Sequence, residues 1–434
     1  MTINQKREKN NRNKIIGILL ITLLFTMIIV PLVSCKEIKD LNNKINAKNN
    51  PMNNMTKNTP TYKIYTTDAE EDGIRLKILR YKPVENNKTT ICKYPIVLCH
   101  GLLANKHSLD FDEKGSSDWE NYSLAAYLSN PHGERPISFD IWVPELRGIR
   151  SLSKNNDKII YNNITNFNWS FDDYVDKDLP SIIKYIQKSY SEEENNTNNN
   201  PTPVFWIGMS MGGMLAYAYG ETKEGYENLK GVVTIGSPVA FEYNQTWYTN
   251  LLKFIVPKRI GLPINPKVIL ENLPGIIETM KKNGANPDNI NEGLYEKYVK
   301  LGLDNYLSSK ILSHFSIFFT YKDFCRYPKN PRISYITQKI PLIKDYFGPE
   351  SYKKNLYKFK TPLLAISGGM DYQAPLEEVK YAIDHVGSSD ITYMEFSKNS
   401  EYTDIDYGHL DFHLGKKVKD EFYPQIYNWL VSRM

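Results

Sequence analysis

The sequence predicts an α/β protein, a mostly parallel sheet flanked by helices on both faces, with a long helical segment inserted late in the chain. Three observations carry this. From Tyr62 onward, short apolar runs alternate with segments of helical spacing. The central runs, such as "YPIVLCHG" and "PVFWIG", are apolar without a break, as strands covered on both faces are. The interval between "GSPVAF" and "TPLLAISGG" exceeds 100 residues, too long for a loop without structure of its own.

The elements follow in order. "YKIYTT" and "IRLKILRYKP", parted by "DAEEDG", read as a β-hairpin. "YPIVLCHG" (94–101) is a strand, "WENYSLAAYLSN" (119–130) a helix and "FDIWVPELRG" (139–148) a strand. "FDDYVDKDLPSIIKYIQKSY" (171–190) has the spacing of an amphipathic helix. A polar loop leads into "PVFWIGMSMGGMLAYAYG" (203–220), a strand, a glycine-rich turn and a helix. "GVVTIGSP", "TPLLAISGG" and "DITYMEFS" are three further strands, and a helical pattern ends the chain. Residues 62–434 thus read as one sheet domain, with an inserted helical cap over about 243–357.

The N-terminus differs from the rest. Lys6, Arg7, Lys9, Arg12 and Lys14 face only Glu8, so most of the net charge of +5 sits there and the remainder is close to neutral. That distribution offers no basic stripe for nucleic acid. The cations precede the apolar run Ile15 to Val33, as in a secretory signal. Leu32-Val33-Ser34-Cys35 resembles the lipobox of bacterial lipoproteins. The resemblance implies a signal peptide over 1–34, acylation of Cys35, and a protein held on the membrane outside the cytoplasm. An uncleaved anchor over 15–33 is the alternative, since that stretch is long enough to span a bilayer. Residues 35–61 are polar, rich in Asn and Lys, and read as a flexible tether. Cys92, Cys99 and Cys325 match no metal spacing and form no even disulfide set.

Gly208-Met209-Ser210-Met211-Gly212 fits G-x-S-x-G between a strand and a helix. A turn this sharp leaves no room for side chains at the flanking glycines, and it projects the Ser210 hydroxyl at a helix N-terminus. A serine nucleophile needs a base, and the base needs an orienting acid. In folds with this turn the chain order is Ser, acid, His. Asp371 follows the next-to-last strand, and His409 lies after the last strand and before the final helix. Asp371 is also placed to cap a helix, and His413 is a second candidate base. Asp404, Asp406 and Asp411 read as solvated or local hydrogen-bonding groups. The oxyanion of acyl transfer needs two aimed N–H donors. The backbone N–H of Met211 is one, and that of Leu102, after His100-Gly101, is the other. The His100 side chain reads as a brace for that loop.

With these residues in hand, the sequence resembles the α/β hydrolases and, within them, the acid lipase family with its gastric and lysosomal members. The resemblance spans roughly 94–430 and rests on "VLCHGLLAN", "ELRG", "YVDKDLPSIIKYI" and above all "GHLDFHLG". It implies the α/β-hydrolase fold, a triad of Ser210, Asp371 and His409, and a lid-like cap over an acyl pocket. That family carries His and Gln beside the nucleophile, where this chain has Met209 and Met211, a pattern closer to general esterases and thioesterases. The expected activity is therefore ester hydrolysis (esterase or lipase) through an acyl-enzyme, with no metal or organic cofactor. The expected partners are a small-molecule or lipid ester and the membrane. An acyltransferase, a thioesterase, a peptidase or a catalytically silent surface-binding lipoprotein are the rival readings.

Overall fold

The computed structural model describes residues 62–67, 73–83, 89–111, 121–130, 135–148, 153–155, 158–160, 167–193, 201–243, 261–271, 274–337, 340 and 348–434. The expected signal peptide over 1–34, the expected acylation site Cys35, the expected tether over 35–61 and the apolar "LLKFIVP" (251–257) lie outside them. Among the described residues no helix is long and apolar enough to cross a membrane.

Eight strands form one sheet: β1 (Tyr62–Thr66), β2 (Lys77–Tyr81), β3 (Ile96–Cys99), β4 (Ile141–Pro144), β5 (Val204–Met209), β6 (Leu229–Ile235), β7 (Leu363–Gly368) and β8 (Ile391–Phe396). Their spatial order is β1-β2-β4-β3-β5-β6-β7-β8. β2 runs antiparallel to β1 and β4, and every other pairing is parallel. From β3 the chain goes outward to β4 and then returns to β5 on the other side of β3. The crevice at the carboxyl ends of β3 and β5 is the topological switch point, where open α/β sheets place their sites.

Alternation along the inner strands sorts the core onto two faces. Val97, Cys99 and Trp206 pack on one side with Ile182, Met214 and Phe318. Ile96, Leu98, Phe205 and Ile207 pack on the other with Leu124, Tyr423 and Ile426. The predicted helix over 171–190 is observed in three joined pieces, Phe171–Asp173, a π-turn Tyr174–Asp178, and α1 (Leu179–Glu193). Pro180 has no N–H to return to the preceding turn, and the wider π register lies directly before it. Helix α2 (Met211–Gly220) follows β5, and all ten of its residues are buried.

Between β6 and β7 the described residues include α3 (Pro274–Gly284), α4 (Glu292–Gly302) and α5 (Ser309–Tyr321). The apolar face of α5 is largely buried. Ile317 and Phe318 are fully buried and continue the main core with Phe171, Phe241 and Phe324. The run "ILSHFSIFF" is thus packing that welds this segment to the sheet.

Candidate active site

The turn after β5 explains its glycines. Ser210 has φ 52° and ψ −117°, a strained conformation for a residue with a Cβ. A Cβ at Gly208 would overlap the Gly212 carbonyl, and one at Gly212 would overlap the carbonyl oxygens of Cys99 and His100. The apex is held from both sides: Ser210 N–H donates to Ile235 O at 2.7 Å, and Trp206 Nε1 donates to Gly212 O at 3.0 Å. Ser210 is partly exposed at the end of β5.

Asp371 and His409 come together from loops after β7 and β8. His409 Nδ1 lies 2.7 Å from Asp371 Oδ2, with side chains 6% and 0% exposed. The other oxygen, Oδ1, accepts N–H from Gln373 and Ala374 at 2.8 Å each. Asp371 is thus not the N-cap of the following helix, which is Pro375; one of its oxygens ties a turn and the other faces His409. The pair sits against the end of β6. A Cβ on Gly236, which has φ 54°, would stand 2.7 Å from Asp371 Oδ2 and 3.0 Å from His409 Nδ1. No hydrogen bond joins Ser210 Oγ to the His409 ring in this structure, and such contacts often tighten only when substrate binds.

His413 is not beside Asp371. It is 2% exposed, lies against Tyr298 at 4.8 Å between ring centroids, and burial pushes its pKa down to about 3. Asp404 is exposed and pairs with Lys417, and Asp406 accepts N–H from Lys398 at 3.1 Å. Asp411 is the local hydrogen-bonding case of that expectation and is fully buried. Its Oδ2 accepts N–H from Gly408 at 3.0 Å and from Asn286 at 2.8 Å. Burial raises its pKa to about 7, against the opposing pull of those hydrogen bonds.

The loop after β3 runs against the nucleophile, since a Cβ on Gly101 would be 3.1 Å from Ser210 Cβ and 3.7 Å from its Oγ. His100 braces the loop. Its Nδ1 meets Gly101 O at 2.9 Å, and its Nε2 accepts Leu146 N–H at 3.4 Å. Those roles require the neutral ring protonated on Nδ1, and burial pushes the pKa down to about 4. Leu102 and Met211 line one small cavity with Arg147, Tyr174, Asn305 and Tyr306. Met211 is the first residue of α2, so its N–H has no partner within the helix. The arrangement sets the Gly101 loop and a helix N-terminus beside a serine hydroxyl, features that acyl transfer uses.

Sequence reasoning missed four residues around the site. Gly236 carries no motif. Asn305 lies in a polar stretch without periodicity. Arg147 and Asp178 belong to the two quoted segments "ELRG" and "YVDKDLP", but nothing in their spacing shows that they pair. Arg147 Nε donates to Asp178 Oδ1 at 2.6 Å, and Arg147 N–H to Oδ2 at 2.9 Å.

Residues 94–254 match the family model of the alpha/beta hydrolase fold. A tear acid lipase-like protein of Mesocricetus auratus is 23% identical over 371 residues, covering 80% of this chain and 82% of that one. Triacylglycerol lipase 2 of Arabidopsis thaliana is 23% identical over 366 residues, covering 77% and 75%. A monoacylglycerol lipase structure from Paleococcus ferrophilus aligns at TM-score 0.44 with 18% identity, over 83% of this chain and 100% of that one. By its strand order, its nucleophile turn and the match over 94–254, the chain has the α/β-hydrolase fold, and its sequence is similar to lipases.

Proposed function

We propose that the protein is a carboxylic ester hydrolase working through Ser210, His409 and Asp371 by way of an acyl-enzyme. The observation that carries this is the buried 2.7 Å contact between His409 Nδ1 and Asp371 Oδ2, next to a serine at the apex of a strained turn. Asp371 accepts a hydrogen bond from Nδ1–H, which places the ring's lone pair on Nε2. Nε2 takes the Ser210 proton as Oγ attacks the ester carbonyl carbon. The carbonyl electron pair moves onto oxygen and is received by the N–H groups of Leu102 and Met211. Collapse expels the alcohol, protonated by His409. A water then gives a proton to Nε2 and attacks the acyl carbon, and Nε2 returns that proton to Oγ as the intermediate collapses to the free acid and Ser210. The lipase names of the hamster and Arabidopsis relatives favour a lipid ester as substrate.

The test is covalent labelling by a fluorophosphonate probe. Wild type should label stoichiometrically and Ser210→Ala not at all, and a folded wild type that stays unlabelled would overturn the reading. A panel of esters of increasing acyl length then defines the substrate. For the N-terminus we propose a lipoprotein, acylated at Cys35 and held on the outer side of a membrane. Cys35→Ser should move the protein from the membrane to the soluble fraction of expressing cells, and unchanged fractionation would favour the uncleaved anchor over 15–33.

A further inference from the structure

The chain between α4 and α5 crosses the oxyanion side of the site, and it is tied there by a reciprocal pair of amides. Asn305, 2% exposed, donates from Nδ2 to Leu103 O at 2.7 Å and to Ala104 O at 3.0 Å. Asn105 answers from the loop, donating from Nδ2 to Leu301 O at 2.7 Å while its Oδ1 accepts His107 N–H at 3.1 Å. One residue on, Tyr306 N–H donates to Gly148 O at 3.1 Å.

The loop needs such a tie. Leu103 has φ 64°, and a left-handed backbone is unfavourable for a side chain of this size by roughly 1–2 kcal/mol. Leu102, the expected oxyanion donor, immediately precedes it. The two carbonyls that Asn305 holds fix the two peptide planes that follow Leu103. Asn305 and Tyr306 also line the same small cavity as Leu102 and Met211. Two carbonyl acceptors require donors, so the side-chain amide is oriented by its partners, and Asn305 Oδ1 is left without a hydrogen-bond partner among the described residues. A buried amide used in this way serves geometry rather than stability alone.

We propose that Asn305 is a positioning residue for the oxyanion hole. By clamping Leu103 O and Ala104 O it holds the strained loop in the conformation that aims Leu102 N–H at the developing oxyanion. The inserted segment thereby completes the acyl-transfer site instead of merely covering it. This rests on the ester-hydrolase reading.

The experiment compares wild type, Ser210→Ala, Asn305→Ala and the shape-preserving Asn305→Asp, which sets an acceptor against both carbonyls. The readouts are fold by circular dichroism and thermal melting, kcat and KM on a soluble ester, and both the rate and the stoichiometry of fluorophosphonate labelling. The Asn305 variants should fold and label to full stoichiometry, but more slowly, by about ten- to a hundredfold, somewhat less than loss of a whole oxyanion donor. Their kcat should fall in parallel, with KM within about twofold. Labelling rates and kcat near wild type in a folded Asn305 variant, with Ser210→Ala unlabelled, would overturn the proposal. So would a reduced labelled fraction at an unchanged rate, or loss of folding in both variants, since either makes Asn305 a part of the fold and not of the loop's aim. A folded wild type that does not label removes the ester-hydrolase reading itself, and the proposal with it.

Discussion

His409 Nδ1 and Asp371 Oδ2 stand 2.7 Å apart, while Asp371 Oδ1 accepts the N–H groups of Gln373 and Ala374. One carboxylate thus orients the ring and ties its own turn. Asp371→Asn separates the two tasks. Its amide oxygen still accepts the turn's N–H groups, but its NH₂ faces Nδ1 and forces the ring proton onto Nε2. We expect kcat to fall by about 10⁴, with a change in stability below about 1 kcal/mol. Asp371→Ala should lose comparable activity and, in addition, about 1–2 kcal/mol of stability from the untied turn. Steady-state kinetics and urea unfolding of the two variants test this, and equal stability of the two would remove the turn-tying role.

Gly236→Ala should damage the site without touching a reacting atom. The new methyl would stand 2.7 Å from Asp371 Oδ2 and 3.0 Å from His409 Nδ1, on a backbone with φ 54°. We expect kcat to drop by at least about tenfold and stability by roughly 1–2 kcal/mol. Gly73→Ala is the control. Gly73 also has positive φ, at 73°, but a Cβ there meets nothing within 4 Å. It should cost similar stability and leave kcat unchanged. Equal kinetic effects of the two substitutions would show that backbone strain alone, and not the wedge between acid and base, is responsible.

What the sequence made legible depended on whether the constraint was local. The strands β3, β5, β6 and β7 were readable because each is a short, largely apolar run, and burial on both faces demands that pattern. The turn at Ser210 was readable because Gly208 and Gly212 must accommodate each other within five residues. Gly236 was not readable: its constraint comes from Asp371 and His409, far along the chain. Asp411 read as a solvated or local group because spacing carries no information on what covers a side chain, and here the cover is the Asn286 segment. Arg147 and Asp178 each stood in a quoted motif, yet no periodicity links residues 31 positions apart.

That buried pair supports a third prediction. The side chains of Arg147 and Asp178 are 3% and 1% exposed, so removing either takes a close countercharge from a desolvated partner. Arg147→Met alone or Asp178→Asn alone should destabilise by about 3–5 kcal/mol. The double variant, with no orphaned charge, should lose less than the sum of the two by more than about 1 kcal/mol. Urea unfolding of the four proteins completes the cycle. Additive losses would mean that the pair is not coupled and that each residue acts through packing alone.

The last prediction concerns pH. Burial raises the Asp411 pKa to about 7 in the folded protein from an ordinary value of 3.8. Between these values the folded state holds a proton that the unfolded state has released. Stability therefore falls as pH rises through this window, by at most about 1.4 kcal/mol per pH unit from this group. The groups that bear on it are Asp371, whose charge reinforces the shift, the His409 ring bonded to Asp371, and His413, which burial keeps neutral throughout. The N–H groups of Gly408 and Asn286 favour the carboxylate and limit the shift. Asp411→Asn cannot titrate, so wild type should lose stability relative to the variant as pH rises from about 4 to 7. The measurement is the difference in urea midpoint between the two proteins across that range, which cancels every other titrating group. A flat difference would mean that Asp411 is ionised in the folded protein over the whole window. The Asn286 segment would then be held on the histidine loop by a full charge rather than by a carboxyl that gains one only near neutrality.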